Sequence, residues 1–360
     1  MDAADRALLE RCLELAERGA RTTAPNPMVG CVLVRDGVVI GEGWHERPGE
    51  PHAEVNALRA AGDARGATAY VSLEPCAHHG RTPPCADALV EAGVRRVVVA
   101  AGDPDPRTNG QGLERLGTAG VDVEVASGEL ARRARLQNAA FRTLVRFGRP
   151  HVTYKAAASL DGRTATASGE SRWISSPESR RLVHEWRARA AAVGVGLGTA
   201  LADDPMLTAR DCDPPAERQP VRVVFDSAGR LPLGSALVRT AGEVPLVVIA
   251  APGAEGAGAL RAAGADVVEA ASMAAGLAEL GRRGLSSLLL EGGATLAGAL
   301  LGEDLVDRLA VFVAPIVLGD GPGLAEGWSA ETLGDAPRAS SLISRPVGPD
   351  TLLVAEVHEN

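Results

Sequence analysis

Short β-prone apolar runs alternate with helix-like segments along nearly the whole chain, and this alternation admits few folds other than α/β layers, sheets covered by helices. Residues 3–19 carry Leu9, Leu13 and Ala16 at helical spacing, with Gly19 near the stop. After the turn-rich TTAPNP, the runs Met28–Val34 and Val38–Gly41 flank Asp36-Gly37, a hairpin signal. The pattern then predicts helices over 53–61, 84–92 and 110–119, strands over 68–73, 95–101 and 121–125, and a single helix over 129–147 ended by Gly148 and Pro150. Beyond that break a strand is expected over His151–Ala157, and further strands over 193–197, 221–226, 245–250, 286–290 and 309–313. Ser176-Pro177-Glu178 starts a helix between them, with a capping residue ahead of a first-turn proline. At roughly 100–200 residues per domain, 360 residues suit two or three domains. The Gly148-Arg149-Pro150 punctuation places a boundary there, giving units 1–147 and 148–360.

The net charge of −9 argues against a sequence-independent nucleic-acid binder, which needs a basic surface. The longest uncharged apolar stretch, Ala190–Ala202, is interrupted by Gly194, Gly196 and Gly198 and is too short for a membrane span. The acidic start MDAADRALLERC lacks an apolar signal segment, so a cytoplasmic protein is expected. Cys12, Cys31, Cys76, Cys85 and Cys212 form no disulfide framework.

Two of those cysteines have telling neighbours. His52-Ala53-Glu54 opens a predicted helix, Pro75-Cys76 opens another segment, and Cys85 follows Pro83-Pro84. One imidazole and two thiolates hold zinc and leave a fourth position for water, as catalytic zinc sites do. Water on zinc ionises near neutral pH and can then attack carbon, and thiolates near helix N-termini are favoured by the helix dipole. Glu54, two residues after His52, can take the water's proton and deliver it to a leaving amine. H-x-E followed by P-C and a second Cys is the signature of the zinc deaminases. Their usual ending is C-x-x-C, whereas CAHHGRTPPC puts eight residues between Cys76 and Cys85. Asn26, in TAPNPMVG, carries an amide that can pair with a pyrimidine edge. His45, in GEGWHERPGEPHAE, can touch a substrate phosphate or ring. His78, His79 and Arg81 lie between the cysteines, as zinc-site neighbours or substrate ligands. An RNA-acting deaminase is disfavoured by the acidic charge, the 3% aromatic content and the long Cys spacing.

The runs NPMVGCVLV, GEGWHERPGEPHAEVNAL, GATAYVSLEPCAHHGRTPPCADALVEAGVRRVVVAAGDPDP and KAAASLDGRTATASGESRWIS closely resemble the bifunctional riboflavin biosynthesis family, a pyrimidine deaminase fused to a reductase. The resemblance spans about residues 6–355. It implies a cytidine-deaminase-like α/β/α sandwich followed by a dihydrofolate-reductase-like α/β domain. It also implies two reactions. Zinc-dependent deamination of 2,5-diamino-6-ribosylamino-4(3H)-pyrimidinone 5′-phosphate comes first. NADPH-dependent reduction of the ribosyl group follows, giving 5-amino-6-ribitylamino-uracil 5′-phosphate. A homo-oligomer, dimer or tetramer, is the expectation from relatives.

The second half lacks G-x-G-x-x-G; Gly194-Val-Gly196-Leu-Gly198-Thr199 has the wrong spacing. Its site residues therefore follow from the resemblance. Lys155, on a predicted strand, and Glu291, on the loop after another, match substrate contacts that control charge near C1′. Arg187 in HEWRARA, Arg210 in DDPMLTAR and neighbouring Leu207 match further substrate contacts, and a guanidinium suits a phosphate. Ala157, Ser171, Trp173, Thr199, Asp203 and Ser227 match cofactor contacts, Ala157 standing where many relatives have glycine. Gly293, Ala294, Thr295, Leu296, Ala297, Gly298 and Ala299 match the segment that holds the cofactor diphosphate; a glycine loop entering a helix suits that role.

Overall fold

The computed structural model describes residues 1–78 and 83–359 and divides the chain into two compact units, Met1–Phe147 and Gly148–Glu359. The first comprises α1 (Ala3–Glu17), β1 (Gly30–Arg35), β2 (Val38–Trp44), α2 (Ala53–Ala61), β3 (Thr68–Val71), α3 (Cys85–Glu91), β4 (Arg96–Val99), α4 (Gln111–Thr118), β5 (Asp122–Val125), α5 (Gly128–Gln137) and α6 (Ala139–Phe147). Its five strands lie in the order β2-β1-β3-β4-β5. β1 pairs antiparallel with β2 and β3, while β3, β4 and β5 are parallel. The hairpin turns at Asp36 and Gly37, both at positive φ, as a two-residue turn between twisted strands requires.

Strand alternation sorts this unit into three layers. Cys31, Leu33, Ala69, Val71, Val97 and Val99 face α2, α3 and α4, where Ala57, Leu89 and Leu116 meet them. Val32, Tyr70 and Val98 face the other way, onto Leu9 and Leu13 of α1 and Ala131 and Ala134 of α5. The single helix expected over 129–147 is in fact two, α5 and α6, broken at Asn138. The Asn138 side chain both accepts from Met28 N (2.8 Å) and donates to Met28 O (2.9 Å), a long-range tie that sequence spacing does not reveal.

The second unit comprises β6 (His151–Ala158), α7 (Pro177–Arg189), β7 (Ala192–Gly196), α8 (Leu197–Asp203), β8 (Val221–Phe225), α9 (Ala236–Arg239), β9 (Leu246–Ala250), α10 (Ala257–Ala262), β10 (Asp266–Glu269), α11 (Met273–Arg282), β11 (Ser287–Glu291), α12 (Ala294–Gly302), β12 (Arg308–Val313), β13 (Ser341–Val347) and β14 (Asp350–Glu356). The sheet order is β10-β9-β8-β7-β11-β6-β12-β14-β13, parallel from β10 to β12 and antiparallel at β14 and β13. The helix after β11, α12, buries Leu296 and Leu300 on one face of the sheet, among Val152, Tyr154 and Leu290. The helices after β6 and β7 pack on the other face, with Trp186, Leu197 and Ala200 against Val193, Val224 and Leu289. Neighbouring strands whose connections leave on opposite faces open a crevice at their carboxyl ends. No helix among the described residues is long and apolar enough to cross a membrane.

In the first unit a buried ion pair fastens α1 to the sheet. Asp5 accepts from both terminal nitrogens of Arg96 (2.9 Å each) and from the Tyr70 hydroxyl (2.7 Å), and it completes a capping box with Asp2. Arg96 chiefly holds the Asp5 carboxyl far below the usual carboxylate range, against the cost of burial. A carboxyl depressed in the folded state contributes its stability above its unfolded pKa of about 4 and loses it as pH falls towards the folded value. Asp5→Asn is therefore expected to cost about 2–4 kcal/mol at pH 7. The gap from the unsubstituted protein should shrink steadily below pH of about 4, as read by calorimetric unfolding across that range.

Candidate active sites

The first site is built on the seat of α2. A Cβ at Gly43 of β2 would come 2.4 Å from the Ala57 nitrogen and 2.5 Å from the Ala53 carbonyl, so only glycine lets the helix lie this close to the strand. His52 is the N-cap residue of α2 and makes no side-chain capping bond, which leaves its imidazole to face the segment after β3. There Cys76 meets Cys85, the first residue of α3, whose backbone N–H donates to the Cys76 sulfur (3.3 Å). His52 Nδ1 lies 3.2 Å from Cys85 Sγ and 3.6 Å from Cys76 Sγ, and all three ligand atoms fall within 4.8 Å of one another. Among the described residues this is the one such group of three or more metal-ligating side chains.

The donors fit zinc by chemistry as well as spacing: two sulfurs and an imidazole nitrogen converge, and a fourth position is left over. The Cys85 thiol donates to Cys76 and pulls its pKa well below the ordinary thiol value, while Cys85 itself is pushed up by the Cys76 sulfur and by burial. Metal uptake at such a pair takes both sulfurs as thiolates and releases protons. Glu54, on the first turn of α2 and only 3% exposed, is not one of the three ligands; burial pushes its pKa up.

His52, Glu54 and Cys76 line a cavity of about 470 Å³ together with Asn26, His45 and His78. Asn26 Nδ2 donates to His45 Nε2 (3.2 Å), and His45 Nδ1 donates to the Pro51 carbonyl (3.3 Å). The His45 ring stands edge-on to His52 at 5.2 Å. His78 pairs through Nδ1 with the Thr108 hydroxyl (3.2 Å); His79 and Arg81 lie outside the described residues. Sequence reasoning missed the far wall, Asp103, Asp105, Arg107 and Thr108. Burial lifts Asp103 to about 7, and Arg107 holds Asp105 low. The signal was present in GDPDPRT, an acidic, proline-rich loop directly after a predicted strand.

The second site is a cavity of about 890 Å³ at the carboxyl ends of β6, β7 and β11. β6 is an interior strand, paired with β11 and β12, and Lys155 sits in register beside Glu291. Glu291 is the last residue of β11, not part of the following loop, because the ladder to β6 runs one residue further than the apolar pattern. Arg187 grips Glu291 with both sides of its fork, Nε to Oε1 (2.5 Å) and Nη2 to Oε2 (2.8 Å), and gives Nη1 to the Thr208 carbonyl (3.0 Å). Burial pushes Glu291 up, but Arg187, and then Lys155, hold it below the usual carboxylate range. Burial lowers the Lys155 ammonium against the pull of Glu291. The Arg187 guanidinium is thus engaged within the protein, and Arg210 is the more exposed of the two arginines matched to substrate.

Ala157, Ser171, Trp173, Thr199, Asp203, Leu207, Gly293 and Ala294 also line this cavity. The Trp173 ring is 70% exposed, with the Arg180 guanidinium 4.4 Å from its centre. Asp203 pairs with Arg172 (2.6 Å). Leu207 is buried at φ +52°, a strained conformation for a branched side chain, and it shares its loop with Asp204 and Asp211, also at positive φ. Two expected positions fall differently. Ser227 lies exposed beyond β8 and is not among the lining residues. Along α12 only the first turn is open to the cavity. Thr295 is exposed and Ala299 half-buried, while Leu296 and Ala297 turn into the core, and Gly298 is pressed against the Glu326 backbone.

Residues 2–101 match the family described as cytidine and deoxycytidylate deaminase zinc-binding region, and residues 150–353 match the RibD C-terminal domain. A zinc deaminase site in one unit and a RibD-type reductase cleft in the other define a deaminase–reductase fusion, cytidine-deaminase-like first and RibD-reductase-like second. The riboflavin biosynthesis protein RibD of Escherichia coli is 46% identical over 97% of this chain and 98% of that protein. RibD of Aquifex aeolicus is 42% identical over 89% and 90%. Among solved structures, Acinetobacter baumannii RibD aligns with a TM-score of 0.86 at 40% identity, and a diaminohydroxyphosphoribosylaminopyrimidine deaminase/5-amino-6-(5-phosphoribosylamino)uracil reductase of Thermotoga maritima with 0.85 at 33%, each over 98% of both chains. The chain belongs to the RibD family: it is a bifunctional deaminase and reductase of riboflavin biosynthesis, with zinc in its deaminase half.

Removing one ligand should empty the zinc site. His52→Ala or Cys85→Ala is expected to drop bound zinc from about one per chain to near zero after dialysis, measured by atomic absorption, because two remaining ligands hold zinc poorly.

Proposed function

We propose that residues 1–147 deaminate 2,5-diamino-6-ribosylamino-4(3H)-pyrimidinone 5′-phosphate at C2 and that residues 148–360 then reduce its ribosyl group, giving 5-amino-6-ribitylamino-uracil 5′-phosphate. The observation that carries this reading is the convergence of His52, Cys76 and Cys85 beside the buried Glu54 carboxyl. His52, Cys76 and Cys85 hold zinc, which when bound supplies an acidified water for attack. Glu54 would accept the proton given up by the attacking water and pass it to the departing amino nitrogen, a role suited to a carboxyl that burial has made more basic. Asn26 and His45, already joined by a hydrogen bond, orient the pyrimidine.

In the reductase, the cofactor is NADPH, which supplies hydride. The residues at the start of α12 fit its diphosphate. Gly292 and Gly293 stand at positive φ, and a Cβ on either would come 3.4 Å from the Thr199 side chain. The first N–H groups of the helix beyond them have no intrahelical partner. Ala157, Ser171, Trp173, Thr199 and Asp203 flank the cofactor. Lys155 and Glu291 bracket C1′ of the substrate with opposite charges, and Arg210 and Leu207 position the ribosyl phosphate. Arg187 serves the substrate through Glu291, whose charge it maintains.

The cytoplasm suits both reactions, since the free cysteines need a reducing compartment to ligate metal. A homo-oligomer is in keeping with edge strand β13, which exposes Leu342 and Ile343. Light scattering on the purified protein gives its mass.

Supplied with the diamino substrate, zinc-loaded protein should release ammonia first and consume NADPH after it, in one tube. NADPH consumption without prior ammonia would overturn the order. Glu54→Gln should keep its zinc and lose ammonia release by about 10²-fold or more, while still reducing substrate that has been deaminated beforehand. Undiminished ammonia release from this variant would remove Glu54 from its role.

A further inference from the structure

A carboxylate outside the assigned set ties the zinc-ligand segment to the opposite wall of the deaminase cavity. Glu74 lies two residues before Cys76 and is 3% exposed. Its backbone N–H extends the β3–β4 ladder by donating to the Ala101 carbonyl (2.9 Å). Its side chain accepts three backbone N–H groups from one loop: Asp103 (3.2 Å) and Gly110 (3.1 Å) on Oε2, and Gly112 (3.1 Å) on Oε1. These backbone donors, two of them at the start of α4, are its partners among the described residues.

Gly110 is the N-cap residue of α4 and Gly112 its second residue, and the helix has no cap from its own N-cap side chain. Glu74 therefore does for α4 what a local Ser or Asp does for other helices, from 36 to 38 residues upstream. The approach is too close for any side chain on the helix, since a Cβ at Gly112 would meet the Pro75 carbonyl at 1.9 Å. Pro75 is the residue between Glu74 and Cys76. The loop held in this way carries Asp103, Asp105, Arg107 and Thr108, which line the cavity with His52, Cys76 and Glu74 itself.

We propose that Glu74 is a positioning residue of the deaminase: by capping α4 it fixes the 103–110 wall at a set distance from the Cys76 segment, so that substrate affinity depends on it while zinc binding does not. This rests on the deaminase reading above.

The test uses the full zinc-loaded chain. In Glu74→Gln one side-chain oxygen becomes a donor facing backbone N–H groups, so at least one charge-assisted bond is lost. Hydrogen exchange of the 103–112 amides should quicken by about tenfold or more. KM for ammonia release should rise by a similar factor with kcat changed much less, and zinc should stay at one per chain. Gly112→Ala, which forces the same contact apart by a different route, should give the same split, and it decides the matter if Glu74→Gln does not accumulate. Reduction of predeaminated substrate reports that the remainder of each variant is intact. Unchanged exchange and KM, or zinc lost in Glu74→Gln, overturns the proposal. Absence of ammonia from the unsubstituted enzyme would instead overturn the deaminase reading, and the exchange comparison would still report on the cap.

Discussion

A carboxylate taken out of water must be met by donors or give up its charge, and each half of this chain is arranged around carboxylates that are met. Glu74 receives three backbone N–H groups, and Asp5 receives a guanidinium and a phenol. In the second unit Asp307, wholly buried, receives Arg149 and the Val152 N–H, which fixes the start of β6, while Glu291 receives Arg187 at the end of β11. Each tie joins segments far apart in sequence, so the register that brings Lys155 beside Glu291 and Cys76 beside Cys85 is fixed by long-range polar contacts as well as by apolar packing.

In the two cavities desolvation shifts three ionisable groups. Glu54 and Asp103 are buried carboxyls with both pKa values raised by desolvation, and Lys155 is a half-buried amine lowered by it. Raising a carboxyl and lowering an amine both move the group towards neutrality, the direction on which acid–base chemistry at neutral pH draws. The two units reach this by different means. The deaminase places His52 and Cys85 at the starts of α2 and α3 and Cys76 on the segment after β3. The reductase places its charged pair at the carboxyl ends of neighbouring parallel strands, in the crevice opened by connections leaving on opposite faces.

Much of the fold was legible because most of the strands are short and uniformly apolar and the helices between them are punctuated by glycine or proline. β10, β13 and β14 escaped notice. β10 has only four residues, and β13, an edge strand whose seven residues Ser341–Val347 are all exposed or half-buried, carries no buried alternation. The break at Asn138 was hidden because its cause, Met28, lies 110 residues away. His52, Glu54, Cys76 and Cys85 could be read directly, since metal chemistry restricts residue type and spacing together. Glu74 could not, because a glutamate before Pro-Cys carries no mark of the helix it caps. The resemblance matches Arg187 to a substrate contact, and its ion pair with Glu291, 104 residues on, has no mark in the sequence.

By itself the sequence determined the α/β class, the break at Gly148, the candidate zinc ligands and, through its resemblance to a bifunctional family, the pair of reactions. Those are matters of residue type, periodicity and local spacing, which a linear string preserves. Only the tertiary structure decided which charges meet. That Glu74 caps α4, that Arg187 sustains Glu291, that Leu296 and Ala297 face the core and that Ser227 stands outside the cleft all follow from strand order and helix seating. Contacts of that kind join residues tens to more than a hundred positions apart, and their energies depend on burial, which exists only once the layers have closed.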